Sequence, residues 1–147
     1  DIGGGSGYFS VKLAERGAKV IAADVDKEFQ DFLKKRIQDN KLKNITPRQI
    51  PYDTPGLEDE EVDMVLMVNT YHHIENRPAY FKKVKKGIKN EGPLVIIDFF
   101  KYELPVGPPV DHKISMDVVI GELKEAGYKS FELEVDMLPY QYIIKAK

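Results

Sequence analysis

Apolar and polar positions alternate with two different periods along the chain, one typical of buried strands and the other of amphipathic helices. Short apolar runs rich in β-branched residues predict strands at 19–23, 45–50, 62–68, 94–99, 131–135 and 140–146. Apolar residues at helical spacing predict helices at 8–16, 27–40, 78–90 and 115–126. This alternation predicts a doubly wound α/β fold whose sheet is mostly parallel, with an antiparallel strand at the C-terminal end.

Local signals support the helix boundaries. Gly17 and Gly127 follow the first and last helices, where glycine is the usual residue just past a helix end. Pro78 opens the third helix at a position where the missing N–H is not needed. In the helix 27–40 the apolar stripe is predicted to contain Phe29, Phe32, Leu33 and Ile37.

Composition narrows the classes of function. A chain of 147 residues with 42% hydrophobic and 31% charged residues predicts one globular domain. There is no cysteine, which excludes thiolate metal sites and cysteine nucleophiles. A net charge of -2 gives no reason to expect nucleic acid as a partner, and we interpret the lysines of 82–89 as a solvated helix face. No apolar run reaches the roughly 18 residues of a membrane span, and we expect a cytoplasmic protein.

The most informative motif is a glycine-rich turn at the start of the chain. Asp1, Gly3, Gly5 and Gly7 form the pattern acid-x-Gly-x-Gly-x-Gly, which lets a ligand approach the backbone closely. A phosphate-binding P-loop would need a lysine after the last glycine, and none is present. A dinucleotide fingerprint would need a third glycine where Tyr8 stands.

A carboxylate at the end of the next strand complements this turn. Asp24 follows the strand 19–23, where an acid can accept hydrogen bonds from the hydroxyls of a ribose. Asp26 is equally suited to cap the following helix, which leaves Asp24 for a ligand. We therefore favour a nucleoside-binding site over a turn with a purely structural role.

Four motifs in order resemble the class I S-adenosylmethionine-dependent methyltransferases, in particular the small-molecule, ubiquinone/menaquinone-biosynthesis-like type 11 group. They are DIGGGSGY at 1–8, VIAADVD at 20–26, VDMVLMV with YHHI at 62–74, and GIKNEGPLVIID at 87–98. The resemblance implies a Rossmann-like sheet with strand order 3-2-1-4-5-7-6 and S-adenosylmethionine as cofactor. It also implies an upstream segment carrying most of strand 1. The turn at 90–93 departs from the family pattern in sequence but carries no chemistry.

The resemblance also assigns roles to individual residues. Asp1 and the glycines would face the amino-acid half of the cofactor, Asp24 the ribose hydroxyls and Val25 the adenine, while Asn69 would line the cofactor from below. The implied cofactor-binding residues are Asp1, Gly3, Gly4, Gly5, Gly7, Asp24, Val25 and Asn69.

Candidate chemistry follows the fourth and fifth strands, because ligands of open parallel sheets bind beyond the carboxyl ends of the strands. The acceptor pocket is predicted to be lined by Tyr71, His72, His73, Asp98, Tyr102 and His112, with the proline-rich segment 104–112 as its lid. Histidine suits proton removal near neutral pH. We predict His73, His112 and His72 as catalytic candidates and favour the first two, although the adjacent pair could equally shape its loop through hydrogen bonds. Neighbouring His72 and His73 side chains diverge, so no metal site is predicted.

The function predicted from these residues is S-adenosylmethionine-dependent methyl transfer to a small molecule. Two alternatives remain open at this point: a non-catalytic binding module or partner subunit with the same fold, and a nicotinamide-dependent oxidoreductase. Tyr8 in place of the third glycine counts against the oxidoreductase.

Overall fold

The structure, a computed structural model, describes residues 1–90 and 92–147. Residue 91, part of the predicted turn 90–93, lies outside the described residues. The chain divides into two compact units, Asp1–Gly56 and Leu57–Lys147, which are described separately. No helix of the described residues is long and apolar enough to cross a membrane.

The first unit is a βαβ arrangement preceded by the glycine turn. Its elements are α1 (Tyr8–Glu15), β1 (Val20–Asp24), α2 (Lys27–Asp39) and β2 (Ile45–Gln49). Strands β1 and β2 pair in parallel. Residues 1–3 run parallel to β1 on its other side: the Ala23 amide donates to the Asp1 carbonyl, and the Gly3 amide donates to the Ala23 carbonyl. The core of this unit consists of Val11, Ala14, Val20, Ala22, Leu33 and Ile45.

Helix α2 differs from the sequence prediction in the direction of its buried face. Leu33 is fully buried and Ile37 packs against the core, but Phe29 and Phe32 are 46% and 56% exposed. Gln30 is buried instead, with its amide donating to the Ala22 carbonyl. The periodicity predicted the helix correctly. Its buried face is formed by Gln30, Leu33 and Ile37 rather than by the two phenylalanines.

The second unit carries a mixed sheet. Its strands are β3 (Val65–Val68), β4 (Leu94–Phe99), β5 (Phe131–Glu134) and β6 (Gln141–Ala146), in the spatial order β3-β4-β6-β5. Strands β3 and β4 are parallel, whereas β6 is antiparallel to both β4 and β5. The helices are α3 (Arg77–Gly87) and α4 (Met116–Glu125). Two short 3-10 turns, Tyr71–His73 and Val110–His112, follow β3 and precede α4.

Two predicted elements are shorter than their sequence patterns indicated, for one common reason. The predicted strand 62–68 is regular only from Val65, and the predicted helix 78–90 ends at Gly87. Ile88 leaves the helix in an extended conformation and pairs with Val62 across an isolated parallel bridge. Gly87, the last residue of α3, lies against Leu57, because a Cβ there would be 2.7 Å from the Cβ of Leu57.

Within each unit, the strand order agrees with the corresponding part of the order that the resemblance implied. Counting residues 1–3 as the first strand, the first unit has the order 3-2-1 and the second has 4-5-7-6. The only antiparallel partner of β4 is the last strand of the chain, as predicted, within the described residues. The predicted α/β fold with a mostly parallel sheet and an antiparallel C-terminal strand is confirmed.

Candidate functional site

The glycine turn of the first unit depends on backbone conformations that other residues adopt poorly. Gly3, Gly5 and Gly7 have φ angles of 70°, 52° and 80°. A Cβ at Gly5 would meet no atom within 4 Å, so this part of the turn borders open space. A Cβ at Gly7 would lie only 2.4 Å from Cδ1 of the buried Leu33. Gly5 thus borders space where a ligand can approach, whereas Gly7 lets the turn pack against α2.

Asp1 is held against this turn by a buried serine. The Ser10 hydroxyl, in the first turn of α1, donates a 2.6 Å hydrogen bond to Oδ2 of Asp1. A Cβ at Gly4 would lie 3.1 Å from the same oxygen. The absence of a side chain at Gly4 therefore lets the carboxylate of Asp1 lie close to the turn. Sequence reasoning missed Ser10, whose only signal was a polar residue on the inner face of a helix.

Asp24 joins the glycine turn to the end of β1. Its side chain is buried, with Oδ2 accepting from the Gly5 amide at 2.8 Å and Oδ1 accepting from the Asp26 amide at 2.9 Å. Asp26 caps α2, because its side chain accepts from the backbone amides of Glu28 and Phe29 in the first turn of that helix. This confirms its predicted role. Asp24 is thereby relieved of capping, and its carboxylate fixes the turn conformation.

In the second unit, one of the three histidines forms a close pair with a buried acid. Both carboxylate oxygens of Asp98, on β4, lie 3.0 Å from Nδ1 of His72, which follows β3. The side chains of His72 and Asp98 are only 4% and 1% exposed. The carboxylate also accepts from the backbone amides of His72 and Phe99, at 3.3 and 2.8 Å. The structure thus brings together two residues that the sequence placed at neighbouring strand ends.

The other two histidines are more accessible. His73 is exposed, and its ring centroid lies 4.1 Å from that of His72, so the prediction that these two side chains diverge is wrong. Partial burial, followed by the charge of His72, lowers the pKa of His73 below its ordinary value, and the charge of His112 acts in the same direction. His112 is exposed at the end of its 3-10 turn. The predicted histidine cluster therefore has one buried member and two exposed ones.

Tyr71 does not line an open pocket. It is fully buried, stacks on Phe81 with centroids 4.8 Å apart, and donates a 2.6 Å hydrogen bond to Oε2 of Glu122. Arg77 binds the same carboxylate through Nε and Nη2 at 2.7 and 2.9 Å. Burial, followed by the hydrogen bond to Glu122, raises the pKa of the Tyr71 hydroxyl. The predicted pocket role of Tyr71 is wrong, because the ring is fully buried and its hydroxyl donates to the partly buried ion pair of Arg77 and Glu122.

Sequence reasoning missed Glu122 and Arg77. The available signal was in α4, where Glu122 stands beside Val119, Leu123 and Ala126 at the spacing of the buried face. A charged residue inside an apolar stripe indicates a buried partner.

The predicted lid 104–112 folds back onto its own strand. A Cβ at Gly107, where φ is 91°, would lie 2.7 to 2.9 Å from the ring of Phe99. At the end of the segment, the buried Lys113 donates from Nζ to the carbonyl of Tyr102 at 2.8 Å. Tyr102 itself is 52% exposed and stacks on Phe100. The segment is therefore fastened at two points.

Asn69 follows β3 in the left-handed region, with φ of 54°. Its Oδ1 accepts a 2.6 Å hydrogen bond from Nε2 of Gln141, at the start of β6. A residue other than glycine held in this conformation is uncommon and often marks a functional position.

In the described residues no group of three or more histidine or acidic side chains could hold a metal ion.

Comparison with known proteins identifies the family. Residues 1–96 match the family described as "Methyltransferase domain". The chain belongs to the methyltransferase domain family. An uncharacterized methyltransferase-like protein of Schizosaccharomyces pombe is 31% identical over 98 residues, which cover 66% of this chain and 36% of that protein. The chain spans between 29% and 42% of the length of the curated relatives it matches.

Solved structures of methyltransferases share the fold of this methyltransferase domain. A SAM-dependent methyltransferase from Aquifex aeolicus is 27% identical with a TM-score of 0.92, covering 99% of this chain and 79% of that one. Phosphoethanolamine N-methyltransferase 2 of Haemonchus contortus, in complex with S-adenosyl-L-methionine, has a TM-score of 0.83 at 13% identity, covering 99% and 47%. The predicted class I methyltransferase family and its cofactor, S-adenosylmethionine, are confirmed.

The residues of the first unit fit this cofactor. A carboxylate offers about four lone-pair positions, and Asp24 uses one on each oxygen for the amides of Gly5 and Asp26. Two positions therefore remain, which matches the two hydroxyls of a ribose. The open space beside Gly5 is what a ligand lying against the backbone needs.

Proposed function

We propose that this methyltransferase domain transfers the methyl group of S-adenosylmethionine to a small-molecule acceptor. The observation that carries the proposal is the bonding of Asp24, a buried carboxylate that fixes the glycine turn and retains acceptor capacity for two hydroxyls. A turn with a purely structural role would not need a partly unsatisfied acid at its centre. When bound, the cofactor supplies a methyl group on a positively charged sulfur.

Each residue of the turn has a distinct part in holding the cofactor. Asp24 binds the ribose hydroxyls, and the half-buried Val25 packs against the adenine. Asp1, oriented by Ser10, faces the amino-acid half of the cofactor together with Gly3, Gly4, Gly5 and Gly7. The predicted cofactor contact of Asn69 stays a prediction; its side chain accepts a hydrogen bond from Gln141.

Charge supports a small acceptor rather than a nucleic acid. The net charge is -2, and several of the five lysines of 82–89 interact with neighbouring side chains. Lys89 pairs with Asp63 at 3.2 Å, and Nζ of Lys85 lies 4.6 Å from the ring centroid of Tyr128. Lysines committed in this way do not form the continuous basic surface that nucleic acids require. A cytoplasmic location stays a prediction.

Two measurements test the proposal. Titration calorimetry should detect binding of S-adenosylhomocysteine and none of NAD, and binding of NAD alone would favour an oxidoreductase. A screen of acceptors with detection of the product mass should then find a methylated small molecule. Binding of S-adenosylhomocysteine without turnover of any acceptor would instead support the non-catalytic module.

A further inference from the structure

The pair formed by His72 and Asp98 has features that a loop-shaping hydrogen bond does not require. Both side chains are almost fully buried, so their ionised forms lose solvation that only a good partner can replace. His72 follows β3 and Asp98 belongs to β4, and these two strands are adjacent and parallel. Both residues therefore lie toward the carboxyl ends of the strands, where open sheets bind ligands. The carboxylate of Asp98 already satisfies two backbone amides, those of His72 and Phe99, and the imidazole of His72 satisfies no backbone group among the described residues.

The hydrogen bonds of Asp98 determine the tautomer of His72. An ionised carboxylate only accepts hydrogen bonds, and both oxygens of Asp98 already accept backbone amides. Nδ1 of His72, at 3.0 Å from both oxygens, must therefore carry the proton. The lone pair of the neutral ring is then on Nε2.

Nε2 of His72 is available for a ligand. No residue that the structure describes forms a hydrogen bond with this atom. In the same described ranges, Gln30 Oε1 is the only buried side-chain nitrogen or oxygen without a partner. Nε2 of His72 has no partner there either, and it is not one of these buried atoms. It therefore reaches solvent, even though most of the ring is covered.

We propose that His72 is the general base of the methyl transfer and that Asp98 is its positioning residue, which rests on the proposed function. Nε2 takes the proton from the hydroxyl or amine of the acceptor, whose lone pair forms the bond to the methyl carbon. The carbon–sulfur bond breaks, and its electron pair stays on sulfur. The imidazolium, stabilised by Asp98, then returns its proton to solvent. The acceptor class is thus a small molecule whose nucleophilic oxygen or nitrogen carries a proton.

This assignment corrects the preference drawn from the sequence, which favoured His73 and His112. No carboxylate hydrogen-bonds either of those rings in the described part of the chain, and both are exposed. They lack the fixed tautomer and the counter-ion that the buried pair supplies. The charge of Asp98 raises the pKa of His73, but this effect is smaller than the lowering by burial and by the charge of His72.

The first experiment needs no substrate. Nitrogen-15 NMR of the imidazoles distinguishes a protonated Nδ1 from a protonated Nε2, and we expect the Nδ1–H tautomer for His72. In Asp98→Asn the amide can donate to Nδ1, so the tautomer should change. Glu75→Gln, an exposed carboxylate in the same loop, is the matched control and should change nothing. An Nε2–H tautomer in the unmodified chain would overturn the proposal.

The second experiment uses an acceptor found in the mass screen. His72→Asn keeps an N–H donor toward Asp98 but removes Nε2, so the fold is retained while turnover should fall by about 10²- to 10⁴-fold. Asp98→Asn should lower turnover less, with the loss in kcat rather than in KM, because the lone pair of His72 then no longer faces the acceptor. Binding of S-adenosylhomocysteine should stay within about twofold in both variants, and a shared urea midpoint should verify folding.

The outcomes separate this proposal from the proposed function. Loss of S-adenosylhomocysteine binding in the unmodified chain would contradict the proposed function itself. Normal binding with full turnover in His72→Asn would refute the base while leaving methyl transfer intact. Loss of turnover in His73→Gln or His112→Gln, together with full turnover in His72→Asn, would assign the proton transfer to another imidazole. Turnover restricted to acceptors without a proton on the nucleophilic atom would also overturn it.

Discussion

Replacing Gly7 by alanine should destabilise the first unit by two separable effects. Gly7 adopts φ of 80°, and the left-handed region costs other residues roughly 1–2 kcal/mol. The new Cβ would also lie 2.4 Å from Cδ1 of Leu33, which is fully buried and cannot swing into solvent. Overpacking of this kind costs about 1–3 kcal/mol. The sum predicts a loss of roughly 2–5 kcal/mol in the free energy of unfolding.

Gly17 provides a matched control in the same unit. Its φ is 91°, but a Cβ there would meet nothing within 4 Å, so Gly17→Ala should cost only the conformational part. Urea denaturation of both variants, followed by circular dichroism, gives the difference, which we expect to be about 1–3 kcal/mol. In a Leu33→Ala background that difference should vanish. Equal destabilisation by Gly7→Ala and Gly17→Ala would show that Leu33 relaxes freely and would refute the packing argument.

Three further predictions concern single side chains. Asp24→Ala should weaken S-adenosylhomocysteine binding by about 1.5–3 kcal/mol for each charged hydrogen bond lost, measured by calorimetry. His73 should titrate below 6.5 in NMR, because burial and then the neighbouring imidazolium lower its pKa. The contribution of neutral His73 to the free energy of unfolding is therefore complete above pH 6.5, the ordinary pKa of histidine. This contribution is lost as the pH falls through the lowered pKa of His73 in the folded protein. Glu122→Gln should lower the free energy of unfolding by about 1–3 kcal/mol, because Tyr71 loses its charged acceptor.

The two substitutions each have a matched control in the chain. Asp26→Ala removes a helix cap but no proposed ligand contact, so it should lower stability by about 1 kcal/mol and leave cofactor binding unchanged. Glu132→Gln removes only an exposed pair with Lys145 and should cost less than about 1 kcal/mol. Equal losses of binding in Asp24→Ala and Asp26→Ala would contradict the ribose contact. Equal losses of unfolding free energy in Glu122→Gln and Glu132→Gln would contradict the role of Glu122. A titration midpoint of His73 above pH 6.5 would contradict the lowered pKa.

The sequence was sufficient where the information is local. The periodicity predicted the helices and strands, and the sequence correctly identified Asp26 as the cap of α2. Contacts between distant residues were not predictable in this way. Tyr71 and Glu122 are 51 positions apart, and only the packing of α4 brings them together.

The histidines illustrate the same limit. The sequence placed three of them near one sheet edge, but it could not show which ring turns toward Asp98, because that depends on one 3-10 turn. In α2 the aromatic residues dominate the hydrophobic pattern, yet Phe32 is exposed and Gln30 is buried, since the carbonyl of Ala22 offers the amide a partner. Hydrophobicity alone does not register such a hydrogen bond.

The position of β5 has a consequence for the behaviour of the protein at high concentration. This strand pairs only with β6 among the described residues, so its outer backbone groups could recruit the strand of another molecule. Glu132 and Glu134 alternate along it, while Leu133 is 50% exposed. Charged side chains on an edge strand oppose such pairing, because two copies that met edge to edge would bring them together. Salt that screens these charges weakens the repulsion, so self-association should begin at this edge at high ionic strength.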